Sequence, residues 1–343
     1  SDILNFSSDL NSTGGSLMVF EAVIENIDLK LTLLKQLKNI CPGQAFFFSN
    51  TSSIPIKLMD EGAGLNGRII GYHFYNPPAV QKLVEIIIPG NLHPDLTEIA
   101  YELGKRLGKI LIPSNDIAGF IGNGHFTRDG LHALSEVERL QSEFSFVQAI
   151  YVVNRISQDF LIRPMGIFQL IDYVGLDVFQ SILSIMNPYF ENENLHSELI
   201  DRMVEAGVKG GQFPDGSQKD GFLKYENYKP AGVYDLDSGK YVLYSEGNWK
   251  AEADQKIGEL PQGHLPWKTL LKDPQRTEKL AAYFKNLNAM DTMGAALARA
   301  YLKRSKEIGE QLISGGVANS VGDVNGVLMN GFFHLYGPIN DYV

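Results

Sequence analysis

His73 and Glu85 stand in two strongly apolar stretches of the chain that only a short loop separates. His73 closes "RIIGYH", and Glu85 lies inside "LVEIII". Apolar surroundings of this kind are typical of buried strands. A carboxylate is costly to bury there unless a partner compensates its charge. The position of Glu85 therefore indicates that another group lies close to it in the fold.

The loop between the two stretches contains Asn76-Pro77-Pro78, a combination that ends strands. If the chain turns near Ala79, the indices of opposed residues in the antiparallel hairpin sum to a constant, and His73 faces Glu85. A carboxylate beside an imidazole holds one tautomer and favours the protonated ring. The pair then matches a general base and the group that orients it. The alternative interpretation is a buried pair with a purely structural role.

A second group of polar side chains recurs at helical spacing further along the chain. These residues would share one face of a helix, as in helix-borne metal sites: His125, Asp129, His132 and Glu136. However, no second helix carries a matching pair of ligands, and apolar residues beside them can form a core face. We therefore predict no metal site.

The elements that must position His73 and Glu85 follow from the apolar pattern of residues 1–115. Residues 16–23 are predicted as a strand, 26–40 as an amphipathic helix and 45–50 as a second strand. Strand, helix and strand in this order predict a parallel sheet. The hairpin of residues 68–88 follows, then a helix that begins at Asp95 and a short strand, "KILIP". This region resembles one half of a doubly wound α/β domain.

Long amphipathic helices dominate after residue 115, so the fold class is α/β followed by all-α. Helices are predicted over the following ranges: 120–140, 144–158, 176–188, 195–207 and 275–315. The predicted divisions are a first helical domain, a linker or excursion containing one local strand, and an incomplete second helical repeat: 116–230, 231–265 and 266–343. "LYGPINDYV" near the end echoes "RPMGIFQLIDYVG", which suggests a duplicated helical unit. We expect the two helical units to pack against each other within one chain.

The bulk composition excludes several classes of partner. The net charge is −10, which gives no general attraction to nucleic acid or to anionic membranes. No apolar run approaches the roughly 18 residues of a membrane span. The single cysteine, Cys41, allows no disulfide within the chain and fits a reducing compartment. With no secretory pattern at the N-terminus, these features predict a cytoplasmic location.

Several stretches resemble the L-3-hydroxyacyl-CoA dehydrogenases of fatty-acid β-oxidation, in the order in which that family carries them. The matching stretches run from residue 20 to residue 225: "FEAVIEN", "SNTSSI", "GYHFYNPPAVQKLVEII", "DIAGFIGN", "RPMGIFQLIDYVGLD" and "DGFLKY". The echo near the C-terminus is similar to the long forms of the family, which have a duplicated helical domain. The resemblance implies a Rossmann-like domain that binds NAD, an acyl-CoA substrate and a general-base mechanism.

The resemblance also implies a role for each matched residue. His73 would take the proton from the 3-hydroxyl group, and Glu85 would orient His73. Ser52 and Asn123 would form hydrogen bonds to the reacting oxygen and to the region of the histidine. The residues that match the NAD pocket are Glu25, Lys30, Ser52 and Asn76.

The family's Gly-x-Gly-x-x-Gly turn, which holds the pyrophosphate, is missing from the start of this chain. We therefore expect the sequence to be a fragment of a longer enzyme, inactive by itself. The resemblance leaves open a fused or associated enoyl-CoA hydratase. Two alternatives also remain open: a related dehydrogenase that acts on another hydroxy acid, and a catalytically inactive scaffold.

Overall fold

The structure is a computed structural model that describes residues 4–342, and its chain divides into two compact units. Unit 1 comprises the residues up to 123 together with 312–331. Unit 2 comprises 124–311 together with the residues from 332 onward. Two of the three boundaries fall inside helices, Gly122–Leu140 and Met293–Ser314, and the third directly follows the helix Val321–Gly331.

Unit 1 is built on a five-stranded sheet whose strand order follows the chain. The strands are β1 Met18–Glu21, β2 Phe46–Ser49, β3 Ile69–Phe74, β4 Leu83–Ile88 and β5 Ile110–Asn115. Neighbouring strands are parallel except for β3 and β4, which form an antiparallel pair. The predicted parallel strand–helix–strand unit and the predicted hairpin are both confirmed. The carboxyl ends of β1, β2 and β3 consequently lie at one edge of the sheet.

The helix between β1 and β2 forms where local sequence signals specify it. Helix α1 spans Ile27–Ile40, and the side chain of Asn26 accepts a hydrogen bond from the Leu29 amide at its start. An asparagine at this position satisfies one of the unpaired amides of the first turn. Leu34 and Leu37 bury the apolar face of the helix.

Helix α2, Ile56–Ala63, was not predicted, because its N-terminal cap is distant in sequence. Pro55 precedes the helix and has no side chain that can accept a hydrogen bond. Instead, the Asp116 carboxylate accepts from the amides of Ile56 and Lys57 at 2.6 and 2.7 Å. At the other end, Gly64 adopts a left-handed conformation with φ of 63°, which ends the helix.

Two helices from distant parts of the chain complete unit 1. Helix α3, Pro94–Arg106, follows β4 and buries Leu96 and Ala100 against the sheet. The segment 312–331 also belongs to this unit, although 266–343 was predicted to be one helical repeat. Its helix, Val321–Gly331, lies against β4 and β5. The prediction was wrong here because an apolar helical face does not reveal which surface it covers.

Unit 2 is mainly helical and begins within α4, Gly122–Leu140. Its helices are α5 Phe146–Arg155, a π-helical turn Ile156–Phe160, α6 Ile167–Val174, α7 Leu176–Met186, α8 Glu198–Glu205, α9 Trp249–Ile257, α10 Trp267–Leu270, α11 Arg276–Ala289 and α12 Met293–Ser314. The helix of unit 1 that follows, Val321–Gly331, is α13. Short 3-10 turns occur at Leu10–Thr13 in unit 1 and at Asn187–Tyr189 in unit 2.

Residues 231–265, predicted as a linker with one strand, are instead folded against the helices. Three antiparallel strands occupy this region and its approach: β6 Leu223–Glu226, β7 Lys229–Asp235 and β8 Lys240–Leu243. Strand β7 and helix α9 both pack on α5. The Tyr151 hydroxyl on α5 donates to Asp254 on α9 at 2.6 Å. Asp237 and Gly239 lie in the turn between β7 and β8.

The range 275–315, predicted as helical, contains the two helices α11 and α12, which residues 290–292 separate. Tyr283 on α11 donates its hydroxyl to the Phe160 carbonyl at 2.8 Å. Tyr336, in the segment that echoes the earlier motif, donates to the Leu161 carbonyl at 2.7 Å. The later helical residues of unit 2 are therefore bonded to the end of the π-helical turn.

Among residues 4–342, no single helix is long and apolar enough to cross a membrane. One pair of helical segments, Ile167–Val174 and Leu176–Tyr189, meets that test only when taken together, and it is bent by 90°.

Candidate active site

The β3–β4 hairpin places His73 directly opposite Glu85, in the register that the sequence predicts. Nδ1 of His73 lies 3.5 Å from Oε2 of Glu85. The Glu85 side chain is completely buried, whereas the imidazole remains 12% exposed. A partly accessible imidazole with a buried carboxylate beside it is suited to proton transfer to or from a ligand.

Glu85 is held in place by two further donors within unit 1. The Ile121 amide donates to Oε1 at 2.6 Å, and the Tyr75 hydroxyl donates to Oε2 at 3.0 Å. Two donors of this kind satisfy a buried carboxylate without a positively charged partner. Sequence reasoning identified neither donor. The signal for Tyr75 was its spacing, since a residue two positions after His73 in extended chain points to the same side.

The loops after β1 and β2 are joined at the same edge of the sheet as His73. Glu25 Oε1 accepts hydrogen bonds from the amides of Ser52 and Ser53, both at 2.9 Å, and from the Thr51 hydroxyl at 2.6 Å. Asn123 Nδ2 donates to the Ser52 carbonyl at 3.0 Å. The structure thus brings together three of the predicted site residues, Glu25, Ser52 and Asn123, around one loop.

The remaining predicted residues at this edge differ in accessibility. Asn76 lies in the exposed loop after β3, where a ligand can reach it. Lys30, in contrast, is buried, with its ammonium 2.8 Å from Glu21 and 3.5 Å from Glu25. It also donates to the Val23 carbonyl at 3.1 Å. Through these contacts Lys30 supports the loop that carries Glu25, and its role in the NAD pocket stays a prediction.

Two residues of the polar helical face, His125 and Asp129, belong to a buried network in unit 2, whereas Glu136 pairs with Arg139 on the same helix. Asp129 forms an ion pair with Arg163 at 2.9 Å and accepts from the Tyr301 hydroxyl at 3.2 Å. His125 Nε2 lies 3.2 Å from both the carbonyl and the hydroxyl oxygen of Ser305. Among residues 4–342, no three histidine, cysteine or acidic side chains are placed to hold a metal ion.

Burial and the neighbouring charges together lower the pKa values of both His125 and Asp129. Burial, with contributions from Arg163 and Arg128, lowers the pKa of His125 to about 4, although Asp129 opposes the change. Burial alone would raise the pKa of Asp129, but Arg163 and the two neighbouring histidines outweigh it and lower that pKa. At neutral pH the network therefore holds a neutral His125 beside the Asp129–Arg163 ion pair.

Comparison with known proteins gives matches over both units. Residues 1–117 match the family model of the 3-hydroxyacyl-CoA dehydrogenase NAD-binding domain, and residues 149–225 match that of the 3-hydroxyacyl-CoA dehydrogenase C-terminal domain. A probable 3-hydroxybutyryl-CoA dehydrogenase of Deinococcus radiodurans is 31% identical over 217 residues, which is 63% of this chain and 76% of that protein. The chain belongs to the 3-hydroxyacyl-CoA dehydrogenase family.

Further relatives are similar to this chain in sequence or in fold. A peroxisomal fatty acid beta-oxidation multifunctional protein of Oryza sativa is 32% identical over 56% of this chain, but the match covers only 26% of that protein. The crystal structure of M. tuberculosis FadB2 has a TM-score of 0.58 at 29% identity, covering 66% of this chain and 76% of that one. The crystal structure of the Escherichia coli 3-hydroxybutyryl-CoA dehydrogenase has a TM-score of 0.67 at 21% identity. That match covers 97% of this chain and 75% of the other chain, so the shared fold includes both units.

NAD is the cofactor that the matched 3-hydroxyacyl-CoA dehydrogenase model specifies, and part of unit 1 fits it. Ligands of open α/β sheets bind beyond the carboxyl ends of the strands, where Glu25, Ser52 and Asn76 lie. No turn that leads from a strand into a helix among residues 4–342 contains the Gly-x-Gly-x-x-Gly pattern that holds a pyrophosphate. Among the described residues, those that fit NAD therefore lie at the edge of the sheet near His73, and none of them belongs to a glycine-rich turn.

Proposed function

We propose that the protein carries the catalytic base of an NAD-dependent oxidation of L-3-hydroxyacyl-CoA to 3-oxoacyl-CoA. The observation that supports this most strongly is the pairing of His73 with the buried Glu85 across the β3–β4 hairpin. Membership of the family supports the reaction class. The position of His73 opposite Glu85 supports the roles of base and orienting carboxylate.

The proton moves from the substrate 3-hydroxyl to His73. Because Nδ1 faces Glu85, Nε2 is the ring nitrogen left to face a ligand. Nε2 takes the hydroxyl proton while the C–O bond becomes a carbonyl and hydride leaves C3. NAD, when bound, provides the acceptor for that hydride. Glu85 then stabilises the imidazolium, since an opposite charge at this distance favours the charged ring.

Ser52 and Asn123 would position the reacting oxygen. Ser52 lies in the loop that Glu25 holds through two backbone amides, and Asn123 donates to the Ser52 carbonyl. A loop fixed by this many bonds can present a hydroxyl group without much loss of conformational freedom on binding. Both residues are partly buried, as expected for groups at the rim of a cleft.

The proposed substrate class is an acyl-CoA thioester, in fatty-acid β-oxidation. Relatives named for 3-hydroxybutyryl-CoA dehydrogenase and for peroxisomal fatty acid beta-oxidation support this class. Some relatives are named as fatty acid beta-oxidation multifunctional proteins and are longer than the matched region. A fused or associated enoyl-CoA hydratase stays a prediction. A cytoplasmic location stays a prediction from composition.

The test is NADH formation by the protein produced from its complete gene, with three substrates compared at equal concentration. We expect turnover with L-3-hydroxybutyryl-CoA and little with free 3-hydroxybutyrate or with the D isomer of the thioester. Equal rates with the free acid would favour a dehydrogenase that acts on another hydroxy acid. No turnover with any substrate, in a folded protein that binds NAD, would favour the inactive scaffold.

A further inference from the structure

One oxygen of Glu85 faces two different groups in unit 1. Oε2 accepts the Tyr75 hydroxyl at 3.0 Å and lies 3.5 Å from Nδ1 of His73. The longer contact is an ion-pair distance, and Nδ1 of His73 has no hydrogen-bond partner among the described residues. The phenol, not the imidazole, therefore has the shorter contact with the oxygen that serves the base.

The side chain of Tyr75 is closely packed, which keeps its hydroxyl beside Oε2 of Glu85. Its ring lies against the His73 ring, with 4.7 Å between the centroids. Two glycines make room for it. A side-chain carbon at Gly122 would overlap the phenolic oxygen, and one at Gly331 would lie 2.8 Å from the ring. Gly331 is the last residue of α13, and its carbonyl accepts the Gln81 amide at 3.0 Å.

The Tyr75 hydroxyl stays protonated, and so remains a hydrogen-bond donor, around neutral pH. Burial, together with the charge of Glu85 and the hydrogen bond to it, raises the pKa of Tyr75 well above its usual value. The other titratable groups near the base are few. Glu85 faces it from β4, and Lys109, close to the ring of the adjacent Phe74, is bonded to the carbonyls of Pro78 and Gln81.

We propose that Tyr75 is a positioning residue that shares Oε2 of Glu85 with His73 and so limits how strongly the carboxylate stabilises the imidazolium. This inference rests on the proposed role of His73 as the general base. An imidazole that binds its proton too tightly releases it slowly, whereas an imidazole without a neighbouring carboxylate has a lower affinity for the proton. By holding Oε2 at 3.5 Å from Nδ1, the phenol sets the base between these limits.

Removal of the hydroxyl should let Oε2 approach Nδ1 and strengthen the pair. The experiment is an NMR titration of the His73 ring in Tyr75→Phe, with the His73 signal assigned from its loss in His73→Gln. We expect the midpoint of the His73 titration to rise by about 0.5–1 pH unit relative to the unmodified protein, the shift from one lost competing hydrogen bond. An unchanged or lower midpoint would overturn the proposal.

Tyr72→Phe is the matched control, because Tyr72 is buried on the opposite side of the same strand and its hydroxyl donates to the Ala100 carbonyl at 3.3 Å. It should lower the melting temperature, as loss of a buried hydroxyl does, without moving the His73 midpoint. A double variant completes the test: in a Glu85→Gln background, Tyr75→Phe should no longer shift that midpoint. A shift of equal size there would show that the phenol acts on His73 by another route.

The titration requires neither substrate nor cofactor, so its outcome is independent of the enzyme assay. A normal assay with no shift in Tyr75→Phe would refute the role of Tyr75 alone. A shift without any dehydrogenase activity would refute the proposed function and leave the shared oxygen as a property of the hairpin.

Discussion

The pairing of His73 with Glu85 could be predicted at the level of single residues, whereas the partners of Glu85 could not. The predicted turn near Ala79 was enough to place His73 opposite Glu85, because the numbers of opposed residues in an antiparallel pair sum to a constant. The amide of Ile121 reaches Glu85 from a loop that no local pattern connects to the hairpin. Lys30 shows the same limit, since its burial between two carboxylates depends on the packing of α1.

Glu85→Gln should lower the midpoint of the His73 titration by about one pH unit or more, because the imidazolium loses an opposite charge within 4 Å. The amide still occupies the same volume and still accepts from the Ile121 amide, so the loss of stability should be modest. An NMR titration measures the shift, and a melting curve checks the fold. An unchanged midpoint would mean that the carboxylate does not act on the ring.

Helix α2 is the element whose formation depends most clearly on a distant residue. Asp116→Ala removes both hydrogen bonds to its first turn and should lower the free energy of unfolding by about 1–2 kcal/mol, as the loss of an N-terminal cap does. Urea unfolding measures this value. Asp28→Ala is the control, since Asp28 is an exposed acidic residue in the first turn of α1 and its loss should cost less than about 0.5 kcal/mol. Equal effects would argue against the long-range cap.

The buried network between α4, the segment after the π-helical turn and α12 should make the protein sensitive to acid. His125 has a pKa of about 4 in the folded state, below its ordinary unfolded value, so the unfolded chain binds the extra proton between about pH 6.5 and 4. Stability should therefore fall as the pH falls through that window, by up to about 3 kcal/mol for this residue.

His125→Gln should flatten that pH dependence, because glutamine can still bond to Ser305 and does not titrate. Urea unfolding at pH 7 and at pH 4.5 gives the comparison. His196→Gln serves as the control, since His196 is about half exposed and pairs with Asp201 at the surface. If His125→Gln loses as much stability on acidification as the unmodified protein, His125 does not contribute to acid sensitivity.

At the scale of the whole molecule, the sequence predicted the order of α/β and helical regions but not how the chain divides. The sequence predicted helix over 275–315, yet only the fold shows that 312–331 belongs with the sheet of unit 1. Asn115 illustrates the reason: its amide donates to the Val317 carbonyl at 2.9 Å, a bond between residues about 200 positions apart. Contacts of such long range leave no trace in local periodicity.

The chain should bind NAD weakly, because no strand-to-helix turn among residues 4–342 has the glycine pattern that lets a backbone approach a pyrophosphate. We expect a dissociation constant above about 1 mM by isothermal titration. Micromolar affinity of this chain would show that residues at the carboxyl edge of the sheet hold the cofactor without a glycine-rich turn.

The most direct test of the central claim is the rate at which His73→Gln oxidises L-3-hydroxybutyryl-CoA with NAD, compared with the unmodified protein, both produced from the complete gene. Loss of a general base typically costs about 10²–10⁴-fold in rate. We expect a decrease of this size in kcat, with little change in KM and an unchanged melting temperature. Near-normal turnover in His73→Gln would contradict the account.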